Sequence, residues 1–82
     1  MTQAALSILT VNIGAASRER AEVMLRWLAG RTENVFVLTE TSAGSGTAYL
    51  LDRFRDNGYA VVHSPDASGD RGTALVSRSP SR

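Results

Sequence analysis

The 82-residue chain contains no cysteine, which excludes disulfide staples, zinc-thiolate sites, iron–sulfur clusters and thiol nucleophiles. It contains no lysine: all nine basic residues are arginine, so neither a Schiff-base lysine nor a phosphate-loop lysine is available. An excess of either charge is lacking as well, with nine basic against eight acidic residues. The formal net charge is +1, and arginines and acids are interspersed without a basic stripe of the kind that follows nucleic-acid phosphates. No window approaches the roughly 18 consecutive apolar residues of a membrane span. The opening Met1-Thr2-Gln3 lacks the basic flank of a secretory signal, so a soluble, cytoplasmic protein is expected. A chain this short forms at most one domain, with little room for a deep cleft, and must be stabilised by packing, a partner or a metal.

What is present reads as alternating strands and helices. Leu6-Ser7-Ile8-Leu9-Thr10-Val11-Asn12-Ile13 is rich in apolar and β-branched residues on both faces. Gly14-Ala15-Ala16 breaks the run, and Ser17 can cap a helix with Glu19 in its first turn. Ala21, Met24, Leu25 and Leu28 recur at i, i+3, i+4 and i+7, so this helix packs on a sheet, while Arg18, Glu22 and Arg26 point outward. Gly30 closes the helix, and Trp27 is expected against the sheet rim.

Val35-Phe36-Val37-Leu38 is a continuous apolar run ending at Thr39-Glu40, the pattern of an interior parallel strand covered on both faces. Thr41-Ser42-Ala43-Gly44-Ser45-Gly46 is expected as a flexible loop. Thr47 would then cap a second helix with Leu50, Leu51 and Phe54 on its buried side. After Asn57-Gly58, Tyr59-Ala60-Val61-Val62-His63 is a third strand, and Gly72-Thr73-Ala74-Leu75-Val76-Ser77 a fourth, pairing as an antiparallel hairpin. Asp66 and Asp70 are expected to be solvated acids in the intervening loop, and residues 78–82 a mobile tail.

The order is β-α-β-α-β-β, a mixed α/β sheet. Crossovers of one hand that progress in one direction would put both helices on the same face. Unless the strand order reverses, the other face then needs cover from another chain or from sequence beyond this one.

Asn12 and Glu40 each close an apolar strand, so one strand-helix-strand crossover would place both at the same sheet edge, where α/β folds bind ligands. Both offer hard oxygen ligands of the kind magnesium takes together with water and substrate phosphate. Equally, polar residues commonly end strands, and the pair would then be caps. His63 is not assigned as a catalytic base; a lone strand-end histidine is more often solvated or hydrogen-bonded. Gly44-Ser45-Gly46 lacks the lysine of a phosphate loop, and Tyr49 stands where a dinucleotide fingerprint has its third glycine.

Thr10-Val11-Asn12-Ile13, Val35-Phe36-Val37-Leu38-Thr39-Glu40 and Gly72-Thr73-Ala74-Leu75-Val76-Ser77-Arg78-Ser79-Pro80 together resemble the N-terminal part of the endonuclease/exonuclease/phosphatase superfamily, the deoxyribonuclease I-like enzymes. The corresponding family motifs read T-x-N-I, L-Q-E and G-x-A-I-x-S-R. The resemblance implies the first third of a four-layer α/β sandwich. It also implies a magnesium-dependent phosphodiester or phosphomonoester hydrolase, with manganese as an alternative ion. By position, Glu40 matches the magnesium-ligating glutamate and Asn12 the asparagine that organises the metal and phosphate. Ser77 and Arg78 match the end of the later strand, and Thr39 stands where the family usually has glutamine. The family's D-x-N motif and C-terminal aspartate–histidine pair fall beyond these 82 residues. The implied partner is a phosphate-containing substrate, a nucleic acid among the candidates, and the chain alone is expected to be inactive. The competing reading is a small α/β interaction module that dimerises or binds a partner through its uncovered sheet face.

Overall fold

The structure, a computed structural model, describes residues 6–65 and 71–78. Its elements are β1 (Ile8–Asn12), α1 (Arg18–Ala29), β2 (Val35–Thr41), α2 (Ser45–Asp56), β3 (Tyr59–Ser64) and β4 (Gly72–Arg78). This is the mixed α/β order expected from the alternation of apolar patterns. The four strands form one sheet in the order β1-β2-β4-β3. β1 runs parallel to β2, whereas β4 is antiparallel to both β2 and β3. The expected hairpin of β3 and β4 is therefore present, with β4 inserted between β2 and β3.

Both helices cover the same face. Leu28 of α1 and Leu50, Leu51 and Phe54 of α2 join Ile13, Phe36, Leu38, Ala74 and Val76 of the sheet in a single buried cluster. Full burial of a side chain of this size contributes about 1.5–3 kcal/mol. Phe54 sits between Phe36 and Tyr59, at ring-centroid distances of 5.8 and 5.0 Å, and so links the helix to a central and an edge strand.

The opposite face carries no helix. Its alternate strand positions align in three rows across the sheet: Ile8, Val35, Ser77 and Ala60; Thr10, Val37, Leu75 and Val62; Asn12, Thr39, Thr73 and Ser64. Ile8, Val62 and Leu75 on this face are 56%, 64% and 46% exposed, well above what a covered sheet would leave. β2 is thus an interior strand, but not one in a parallel environment covered on both faces. The apolar residues that suggested double cover, Val35 and Val37, are only half-buried.

Helix boundaries follow local chemistry. Ser17 Oγ accepts from the Arg20 amide at 3.2 Å, Glu19 lies in the first turn and Gly30 is the C-cap of α1. α2 starts earlier than its sequence suggests. Its N-cap is Gly44, and Ser45, Gly46 and Thr47 are already helical rather than part of a flexible loop. Gly46 is the cause, because without a Cβ the first turn of α2 can press onto the carbonyls of Ala16 and Ser17. Thr47 caps nothing; its buried hydroxyl accepts from the Ser42 amide at 2.9 Å and holds the turn that leaves β2.

Two further expectations are corrected. Trp27 is 50% exposed, with the Arg31 guanidinium 5.3 Å from its ring centroid, because its position falls outside the stripe that faces the sheet. Arg78 is the last residue of β4 and not the start of a tail: its amide donates to the Asn34 carbonyl at 3.0 Å. Asp66, Asp70 and residues 79–82 lie outside the described residues. Among the described residues no helix is long and apolar enough to cross a membrane.

Candidate functional site

The parallel pairing of β1 and β2 puts Asn12 opposite Thr39, one residue before Glu40. Beyond this point the two strands remain tied, Ile13 N to Thr39 O at 3.0 Å and Ala15 N to Glu40 O at 2.8 Å. The chain leaves β1 through two left-handed residues, Gly14 (φ +55°) and Ala15 (φ +50°). That turn brings the Ala15 amide to the Glu40 carbonyl and leaves the Asn12 side chain clear.

Glu40 does not continue the pleat of β2. Strict alternation after Phe36 and Leu38 would aim it at the helices. Instead the register with β4 slips between Thr39 and Thr41, and Glu40, at φ +55°, is the extra residue of a bulge. A left-handed conformation costs a residue with a side chain on the order of 1–2 kcal/mol. Burying an unpaired carboxylate under the helices would cost more, several kcal/mol, so the bulge is the better solution. It swings Glu40 to the exposed edge and gives the inward position to Thr41, which is 1% exposed.

There Asn12 Nδ2 donates to Glu40 Oε2 at 2.8 Å. An ionised carboxylate can only accept, which fixes the orientation of the amide: its NH₂ faces Glu40 and Oδ1 faces away. Asn12 Oδ1 lies 3.6 Å from the point where a Cβ on Gly14 would stand, beside the turn. Among the described residues Glu40 has no cationic partner, and no three His, Asp or Glu side chains gather into a metal-binding group. One carboxylate and one amide oxygen make an incomplete donor set. It fits a hydrated magnesium or manganese ion that takes its other ligands from water, substrate or further residues, and it does not fit a closed all-protein cage.

The structure thus brings together the two residues singled out at the strand ends. It separates others. Ser77 and Arg78 lie at the opposite edge, since Ser77 pairs with Val35 and Ala60 at the starts of β2 and β3. His63 is turned to the helix side, where its Nε2 and Thr41 Oγ1 are 2.8 Å apart, so it is a hydrogen-bonded strand residue and makes no contact with the Asn12–Glu40 pair. The Gly44 amide is already engaged, donating to Ser42 Oγ at 3.1 Å. Thr41, expected to open the flexible loop, is instead the buried last residue of β2, and its pairing with Gly72 at the start of β4 is not legible in the sequence. The one available signal was that a hydroxyl follows directly after the acidic strand end.

No family model matches the chain, and no curated protein matches it. Among solved structures it is similar to an AP endonuclease from Archaeoglobus fulgidus, with a TM-score of 0.67 and 27% sequence identity. The likeness covers 89% of this chain and 27% of that enzyme, so the chain spans only about a quarter of the length of its structural neighbour. At a coarse level the fold is that of the endonuclease/exonuclease/phosphatase type.

Proposed function

We propose that the chain carries part of the active site of a metal-dependent phosphodiester hydrolase of the nuclease kind, with Glu40 as a magnesium ligand and Asn12 as the residue that orients it. The observation that carries this reading is the 2.8 Å hydrogen bond from Asn12 Nδ2 to Glu40 Oε2 at the carboxyl ends of two parallel neighbouring strands. The AP endonuclease likeness supports a nuclease-like hydrolase and makes a nucleic acid the favoured substrate class.

Glu40 would hold the ion through its carboxylate, while Asn12, whose Nδ2 donates to Oε2, would orient that carboxylate and not ligate the ion in this rotamer. A divalent ion there supplies Lewis-acid polarisation of a phosphoryl oxygen and stabilises charge on the leaving oxygen. Asn12 fixes the carboxylate by occupying Oε2, so the remaining lone pairs are presented in one direction. Among the described residues no group of three or more His, Asp or Glu side chains gathers to complete a metal- and water-activating set. The chain alone should therefore bind a divalent ion weakly and not turn over substrate.

Titration with magnesium, followed by NMR, tests this. Saturable shifts of the Asn12 side-chain amide and the Glu40 backbone, absent in Glu40→Gln, are expected. Selective shifts elsewhere, with none at these two residues, would sink the reading. Magnesium-dependent cleavage of abasic-site DNA by the chain alone, lost in Glu40→Ala, would overturn the expectation of inactivity.

A second reading is favoured by a different observation, the exposure of Ile8, Val62 and Leu75 on the bare face. On that reading the chain is an interaction module and Asn12 and Glu40 are strand caps. A stable dimer in size-exclusion chromatography, indifferent to magnesium and to Glu40→Ala, would select it.

A further inference from the structure

The bulge at Glu40 needs something to hold it, because a left-handed glutamate is unfavourable by itself and its hydrogen bond to Asn12 is exposed to competing water. The buried partner of the bulge is Thr41. Its hydroxyl meets His63 Nε2 at 2.8 Å, although β4 lies between the strands that carry the two residues. The contact crosses β4 above Gly72, which pairs with Thr41 in the register. A Cβ on Gly72 would stand 2.5 Å from Thr41 Oγ1 and 2.8 Å from the Ser64 carbonyl oxygen. Only glycine leaves this passage open.

We infer that Thr41, Gly72 and His63 form a clamp across three strands that positions Glu40, and that Thr41 and His63 are positioning residues for the site. The logic is one of register. Straightening β2 would remove the extra residue, move Thr41 away from Gly72 and turn its hydroxyl to the bare face, on the other side of the sheet from His63. It would also turn Glu40 inward. The Thr41–His63 bond is thus made only in the arrangement that sends Glu40 to the edge beside Asn12. Either group can donate, according to the tautomer of His63, so the clamp does not depend on the direction of the bond.

The functional part of this inference rests on the reading of Glu40 as a metal ligand, whereas the geometric part does not. Both are measured on the same variants, the geometry from the Asn12 side-chain amide protons in the metal-free chain and the affinity by manganese titration. Thr41→Val and Gly72→Ala should move the Asn12 amide signals toward those of a free side chain. They should also weaken manganese binding by about 10–100-fold, because releasing the bulge frees Glu40 from Asn12, the partner that orients its carboxylate. Thr41→Ser, which keeps the hydroxyl, should restore both. Should Thr41→Val fail to fold, His63→Phe against His63→Gln gives the same contrast at a half-buried position. If the variants lower the melting temperature but leave the Asn12 amide signals in place, Thr41 and His63 are merely structural and the inference is overturned. If the wild-type chain binds no manganese while the amide signals respond as expected, the clamp stands and the metal reading fails.

Discussion

Arg78 Nη2 donates to the main-chain carbonyl oxygen of Arg31 at 3.0 Å, joining the end of the last strand to the turn between α1 and β2. Its Nε lies 3.3 Å from the Glu33 carbonyl oxygen, and its guanidinium stands 5.5 Å from the ring centroid of Tyr59. One side chain therefore holds the edge of the sheet opposite the candidate site. Arg78→Ala should destabilise the fold by about 1–2 kcal/mol, the low end for charge-assisted bonds because these are exposed. Arg78→Lys should recover less than half, since a lysine lacks the planar fork that serves two carbonyls. Urea unfolding of the three proteins checks the order.

Acid should loosen the same turn. The Arg31 guanidinium, donating to Glu33 at 2.6 Å, and the backbone amide of Glu33 hold its carboxyl below the usual carboxylate range. The sign follows directly. The unfolded chain takes up the proton at higher pH than the folded one, so this contribution is complete above the ordinary glutamate pKa. It is lost as pH falls through the lowered one. Arg31 stays charged throughout. Melting temperatures of wild type and Glu33→Gln between about pH 2 and pH 6 test this, and the variant should show the flatter acid limb.

Replacing Gly46 sets two effects against each other. In an ordinary helix interior, Gly→Ala stabilises by about 0.5–1 kcal/mol. Here the added Cβ would lie 2.6 Å from the Ser17 carbonyl oxygen and nearer still to that of Ala16, both backbone atoms that cannot rotate away. Overpacking of this kind costs about 1–3 kcal/mol, so the clash wins and Gly46→Ala should be less stable than wild type. Chemical denaturation reads the sign, and a stabilised variant would contradict the packing of α2 on the start of α1.

The strain at Glu40 predicts a trade of stability against binding. Both Glu40→Ala and Glu40→Gly remove the carboxylate and its bond to Asn12, but only glycine relieves the left-handed φ. Glu40→Gly should therefore be about 1 kcal/mol more stable than Glu40→Ala, the reverse of the usual preference within a strand. Neither should bind magnesium. Equal melting temperatures for the two would remove the case for strain.

Much of this arrangement is legible in the residues themselves. The 3.6-residue stripe of Ala21, Met24, Leu25 and Leu28 and the apolar run from Val35 to Leu38 mark a helix and a strand by periodicity, and from these the meeting of Asn12 and Glu40 follows by topology. The bulge is not legible, because alternation is a rule of regular strands and here it points Glu40 inward. Nor is the start of α2, since Gly44-Ser45-Gly46 has loop composition and becomes helical through the contact of Gly46 with the Ala16 and Ser17 carbonyls that lead into α1. Trp27 misleads for a related reason: burial tendency describes a residue type, whereas exposure depends on which side of the helix meets the sheet. Arg78 looks like part of a polar tail because its partners are backbone carbonyls, which no side-chain pattern reveals.

The three rows of the uncovered face differ in chemistry. Two are mainly aliphatic, while the third, Asn12, Thr39, Thr73 and Ser64, is wholly polar and borders Glu40. A second layer laid over this face gains by touching the aliphatic rows and loses by drying out the polar one, so its natural margin falls between them. The overhang would make a trench with the polar row as its floor and the Glu40 carboxylate at its lip. The bare side of the sheet is thus also the side that decides where a crevice can open.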